Sequence, residues 1–275
     1  MNSFDRPLAV VTGATGGIGR AICLRLAEEG YDLLCVYYSK HDEAEMLRRQ
    51  IMESGVQCSI MSCDLSESAS TDLVDLAVTR ILSDGGGHLK ALVNCAALLL
   101  GPAFGTATTE QFNTYMSVNV RAPFFLSQRL SRRMVSGGSI VNFSSAGAHF
   151  SSPGDIIYSM SKSAIEAMSF HAAEALAANG IRINTVIPGF TDNGHELFQL
   201  PEARQHMGSF AVLGDVSEPQ VVAEAVYFLV SERSSRTTGT TLDVSGGSTL
   251  GLRPKTAKRV SLKSLNDKTS ASREA

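Results

Sequence analysis

The chain has 275 residues, 44% of them hydrophobic, and a formal net charge of -3 at pH 7. That is ample apolar material for a sizeable core, and without a clustered excess of Lys and Arg no nucleic-acid partner is expected. No apolar run approaches the roughly 20 residues that cross a bilayer, and the first apolar run starts too early to follow a signal segment, so a cytoplasmic protein off the membrane is expected. Cys23, Cys35, Cys58, Cys63 and Cys95 form no Cys-x-x-Cys pair and lie mostly in apolar runs, which predicts buried thiols in a reducing compartment.

Short runs rich in Val, Ile, Leu and Cys predict strands at 7–12, 31–38, 57–63, 91–96, 138–144, 181–187 and 240–244. Helical stretches separate them. The stripe Ile18, Ala21, Ile22, Leu26 follows the first strand, Val74, Ala77, Val78, Ile81 the third, and Val222, Ala225, Val226, Leu229 precedes the last, each at helical period. Apolar positions almost encircle helices expected at 113–134 and 155–179, the second stopped by Gly180. This alternation predicts an α/β fold: one doubly wound parallel sheet of seven strands flanked by helices, as a single domain over 1–252. From Arg253 onward seven Lys and Arg face two acids, which predicts a basic, solvated tail over 253–275.

Between the first strand and its helix stands TGATGGIG, residues 12–19. Gly13, Gly17 and Gly19 suit a tight turn that lets an anion approach the helix N-terminus, yet the spacing fits neither G-x-G-x-x-G nor the Walker pattern. Further on, Tyr158 and Lys162 stand four apart on the long helix and share a face. Ser145 precedes Tyr158 by thirteen positions, with Ser144 as a rival beside it. The six histidines show no zinc-site spacing, and no metal is expected.

This set, in this order, resembles the short-chain dehydrogenase/reductase family over about residues 7 to 250, with the Rossmann-type fold and the ketoreductase activity that implies. The resemblance carries Gly13, Thr15, Gly17, Ile18 and Gly19 to a nicotinamide dinucleotide. It adds Asp64 and Leu65 after the third strand, Asn94 and Ala96 after the fourth, and Pro188, Gly189 and Thr191 after the sixth. It makes Asn119, Ser145, Tyr158 and Lys162 the catalytic set: Tyr158 as general acid, Lys162 lowering the phenol's pKa and binding the ribose, Ser145 bonding the substrate oxygen, Asn119 holding a water. The second strand ends at Tyr38, Ser39 and Lys40 with no carboxylate before Asp42, and Gly16 replaces the family's frequent loop arginine. NADPH is therefore expected over NADH, with Ser39 and Lys40 at the 2′-phosphate.

Family members are commonly tetramers or dimers, and a homotetramer or homodimer is expected here. The segment 191–213 is expected to be a lid, lining a pocket for a carbonyl substrate, free or carrier-bound, with Leu98, Leu99, Leu100, His149, Phe150 and Phe190. Two other readings fit the same residues: a sensor that binds NADP(H) without catalysis, and an alcohol dehydrogenase run in the oxidative direction.

Overall fold

Runs such as Leu8-Ala9-Val10-Val11 and Leu33-Leu34-Cys35-Val36 are apolar at every position, so they can only be strands buried on both faces. The computed structural model describes residues 6–85, 87–194 and 196–250. Among these residues the seven strands are β1 (Pro7–Thr12), β2 (Asp32–Tyr37), β3 (Cys58–Ser62), β4 (His88–Asn94), β5 (Met134–Phe143), β6 (Arg182–Pro188) and β7 (Thr241–Val244). They pair in parallel in the order β3-β2-β1-β4-β5-β6-β7, the expected doubly wound sheet.

The helices are α1 (Gly17–Glu28), α2 (His41–Glu53), α3 (Ser70–Ser83), α4 (Thr109–Met116), α5 (Ala122–Leu130), α6 (Ile156–Ala177), α7 (Pro201–Gly208) and α8 (Pro219–Val230). Strand residues alternate between two cores. Ala9, Val11, Leu33, Cys35 and Val93 meet Ile22 and Leu26 of α1 and Val222 and Val226 of α8. Leu8, Val10, Leu34, Val36 and Leu92 meet Val74 and Val78 of α3 and Leu126 and Leu130 of α5. Each such fully buried aliphatic side chain contributes about 1.5–3 kcal/mol.

The strand predictions match closely, with two differences. β4 begins at His88 and β5 at Met134, ahead of their apolar runs, because the first residues of both strands are partly exposed and include polar residues or glycine. The helix expected at 113–134 starts earlier, at Thr109, where Thr108 and Gln111 form a reciprocal capping box. It is interrupted by a π-helical turn, Ser117–Arg121.

No helix of the described residues is long and apolar enough to cross a membrane. All five cysteines are free thiols; four are buried and Cys95 is half-buried. The tail expected at 253–275 lies outside the described residues.

Candidate active site

The strand order reverses at β1, where Thr12 lies beside Asn94 of β4; open parallel sheets bind ligands beyond the carboxyl ends of their strands at such a point. Residues 12–19 form the floor. Gly13 has φ +68°, and a Cβ there would stand 2.8 Å from Ala96 Cα. At Gly17 a Cβ would stand 2.6 Å from Asn193 Cα, and at Gly19 it would collide with the Gly13 carbonyl. Ala96 N donates to Thr12 Oγ1 at 3.1 Å, tying the two strand ends together. No side chain caps the N-terminus of α1, so its free N–H groups and the dipole's positive end suit an anion. Thr15 and Ile18 are half-buried beside the glycines.

The other expected binding positions lie at the same edge of the sheet. Ser39 and Lys40 follow β2; both are exposed, and Lys40 Nζ pairs with Glu43 at 3.0 Å. Asp64 follows β3, its Oδ1 accepting from Ser66 N at 2.8 Å, while Leu65 is buried in the core. Pro188 ends β6, and a Cβ on Gly189 would meet Ser245 O at 2.6 Å. Thr191 Oγ1 donates to Gly189 O at 3.1 Å. Asn94 differs from expectation: its amide is buried inside the sheet, giving Nδ2 to Asn142 Oδ1 at 2.8 Å. Its Oδ1 has no partner among the described residues.

The helix α6 brings Tyr158 and Lys162 to one face, one turn apart. Lys162 is 3% exposed; its Nζ donates to Phe143 O at 2.9 Å and lies 5.7 Å from the centre of the Tyr158 ring. Burial pulls its pKa down to about 8. Tyr158 is hydrogen-bonded to Ser145, which favours the phenolate, but burial outweighs that bond and pushes the phenol up to about 12. The net shift in the protein by itself is upward, because desolvation is the larger effect.

The two serines separate cleanly. Ser145 Oγ accepts from Gly147 N at 3.1 Å and sits at Tyr158, whereas Ser144 is buried and donates to Lys162 O at 3.2 Å and to the Glu166 carboxylate. Asn119 lies in the π-helical turn. Its Oδ1 accepts from Leu98 N at 2.8 Å, and its Nδ2 donates to Leu98 O at 3.1 Å and Ser161 Oγ at 3.0 Å. That side chain ties the 98 backbone to α6.

An aromatic wall joins the turn after β5 to the segment that follows β6. Phe150 stacks on Phe210 with centroids 5.7 Å apart, Phe190 lies 5.5 Å from Phe210, and His206 meets it edge-on at 5.3 Å. Phe150 and Phe190 were expected by name, and Phe210 and His206 fall in the segment 191–213 expected with them; which rings meet is not marked locally, because Phe150 and Phe210 lie far apart in the chain. Leu99 and Leu100 are half exposed, with Leu100 at φ +55° and Tyr115 Oη donating to Leu99 O at 2.8 Å.

Comparison with known proteins agrees with this geometry. The family described as enoyl-(acyl carrier protein) reductase matches residues 13–249. The uncharacterized oxidoreductase YgfF of Escherichia coli (strain K12) is 32% identical over 248 residues, covering 87% of this chain and 99% of the relative. Two solved structures are each 36% identical. One is the angucycline C-6 ketoreductase LanV with bound NADP, TM-score 0.85, over 90% of this chain and 98% of that one. The other is the promiscuous reductase LugOII, which catalyses keto-reduction at C1 during lugdunomycin biosynthesis, TM-score 0.86, over 91% and 100%. Sequence likeness along nearly the whole chain and a tyrosine, lysine and serine gathered at the switch point lead to one conclusion: the chain belongs to the short-chain dehydrogenase/reductase family of oxidoreductases.

Proposed function

We propose that the protein reduces a ketone to a secondary alcohol with NADPH as the hydride donor. The observation that carries this reading is the contact of Tyr158 with Ser145, with the buried Lys162 one turn away, beside a glycine floor where added Cβ atoms would collide. Gly13, Gly17 and Gly19 let the loop pack tightly on Ala96 and Asn193 at the start of α1, whose free N–H groups suit a pyrophosphate, and LanV was crystallised with NADP. Ser39 and Lys40 lie where a ribose 2′-phosphate would be met, with Lys40 exchanging Glu43 for the phosphate.

Bound NADPH supplies the hydride. This chain's residues handle the oxygen: with a pKa of about 12, Tyr158 is fully protonated at neutral pH and can donate a proton to the oxygen that becomes the alcohol. Ser145 accepts a hydrogen bond from Gly147 N, and its one hydroxyl proton, directed at Tyr158 in the protein by itself, would turn to the carbonyl oxygen and stabilise developing charge. A positive Lys162 favours the phenolate left behind. Asn119 fixes the distance between the 98 backbone and α6.

The rings of Phe150, Phe190 and Phe210 favour a flat aromatic ketone, held by stacking worth about 0.5–1.5 kcal/mol per ring pair. The 3-oxoacyl-(acyl-carrier-protein) reductase of Staphylococcus aureus, 29% identical to this chain, supports a second reading, a carrier-bound acyl ketone. A turnover screen following NADPH oxidation separates them: kcat/KM is expected to be at least about tenfold higher for aromatic ketones than for acyl thioesters, and the reverse order overturns the assignment. Tyr158→Phe is expected to lower kcat by about 10²–10⁴-fold with NADPH binding retained; undiminished turnover would sink the mechanism.

Assembly as a homodimer or homotetramer belongs to the same reading. Phe124 and Phe125 on α5 and Met160 and Phe170 on α6 are 45%, 37%, 50% and 66% exposed, apolar surface of the kind that subunits cover. Sedimentation at a single chain's 29.3 kDa would refute it.

A further inference from the structure

The sequence FSSAGAHF sets two serines side by side at the end of β5. Neighbouring residues of an extended chain face opposite ways, and Ser144 still continues the ladder, its N donating to Val186 O at 2.9 Å. Ser145 thus meets Tyr158 while Ser144 turns toward the body of α6. The residue it finds there is Glu166, one turn past Lys162 and two past Tyr158 on the same helical face.

Glu166 Oε1 accepts from Ser144 Oγ and pairs with His149 Nε2 at 2.9 Å. His149 is the last residue of the short 3-10 turn that Ser145 opens. One carboxylate oxygen therefore holds both ends of the turn carrying Ser145, and holds them to the helix carrying Tyr158 and Lys162. A third tie, Ser159 Oγ to Gly147 O at 3.0 Å, secures the middle of the turn. The backbone adds a bond from Ala148 N to Ser145 O, at 3.0 Å. The side-chain ties are what join the turn to α6.

A carboxylate is a costly group to place there, because Glu166 is only 21% exposed and must be compensated by donors. Its use makes sense where position is critical: a displacement of about 1 Å at a reacting centre costs roughly 10²-fold in rate. Resting on the ketone reduction proposed above, we propose that Glu166 is a positioning residue of that reaction. Through Ser144 and His149 it sets the distance from Ser145 to Tyr158.

The test uses the purified full chain and a ketone that the unmutated enzyme reduces with NADPH. Glu166→Ala is expected to lower kcat about tenfold while KM for NADPH changes less than about twofold. Glu166→Gln retains an acceptor oxygen for Ser144, and is expected to recover most of the lost kcat. In a Ser145→Ala background, Glu166→Ala is expected to cost less than about twofold, since the group it positions is gone. An equal loss in both backgrounds, or Gln no better than Ala, overturns the proposal. Should Glu166→Ala fail to fold, Ser144→Ala removes one tie and leaves the carboxylate in place: kcat several-fold lower supports the proposal, and unchanged kcat overturns it. A failure of the unmutated enzyme to reduce any ketone, with NADPH bound, overturns the ketoreductase reading itself.

Discussion

Lys162 is a buried cation whose Nζ rests on a carbonyl oxygen and not on a carboxylate, and its consequences can be worked out in sign. Its pKa of about 8 lies below the 10.5 of the free side chain. Between those values the unfolded chain binds the extra proton, so this group's contribution to stability rises as pH increases through that window. Lys162→Met is therefore expected to abolish turnover yet raise stability at pH 7 by about 1–3 kcal/mol, with the gain disappearing toward pH 10; urea unfolding at both pH values checks it. The ammonium is lost as pH rises through about 8, so kcat/KM for reduction should fall about tenfold per pH unit above that point. A flat profile to pH 10 would refute the need for the charge. Tyr158 and Lys162 were legible because helical spacing places them together whatever else the fold does. The choice between Ser144 and Ser145 was not, since it depends on the phase in which β5 ends.

At the scale of elements, the sequence announced what is apolar and hid what is polar. The first half of β5, Met-Val-Ser-Gly-Gly, is half exposed and lacks the apolar run by which β1 and β2 reveal themselves. The π-helical turn was equally silent: the apolar pattern runs through it, and what marks it is Asn119 bonding a backbone segment about twenty residues away in sequence. Arg182 on β6 is a polar residue whose role emerges only in three dimensions. Its guanidinium donates to Leu229 O at 2.8 Å, Ser234 Oγ at 2.7 Å and Ser231 O at 3.1 Å, closing the carbonyl end of α8. Arg182→Met should cost about 1.5–3 kcal/mol, since it removes charge-assisted hydrogen bonds to Leu229 O, Ser234 Oγ and Ser231 O, and should lower the urea midpoint without changing the slope. In the glycine loop, Gly13→Ala combines a left-handed backbone with a backbone collision at Ala96; NADPH binding by fluorescence titration should weaken at least about tenfold.

Across the whole molecule, the sheet brings residues from several strand ends to one edge, and the connection after β6 returns there, with Thr191 bridged to Ser217 and Asn193 against Gly17. That connection is held by Arg204 on α7, which pairs with Asp192 at 3.2 Å, Asp215 at 3.0 Å and Glu218 at 3.4 Å. Exposed pairs of this kind add little to global stability, but three on one guanidinium fix where a connecting segment lies. Arg204→Ala is expected to speed amide hydrogen exchange over α7 about tenfold or more while leaving the strands unchanged; uniform protection would show the segment is held by packing alone. The long connection after the sixth strand was legible. Its seat was not, because Asn193 rests against Gly17, an encounter between residues far apart in the chain that no spacing rule encodes.

That seat also bears on traffic through the site. The same short stretch of chain borders the glycine floor at one end and leads to the aromatic wall at the other. A nucleotide arriving late would have to pass beneath a segment already settled over its partner. Binding and release should therefore follow a queue, dinucleotide first in and last out. Inhibition by NADP+ should then be competitive against NADPH and not against the ketone, the pattern of compulsory order; competition against both would show that either can bind first.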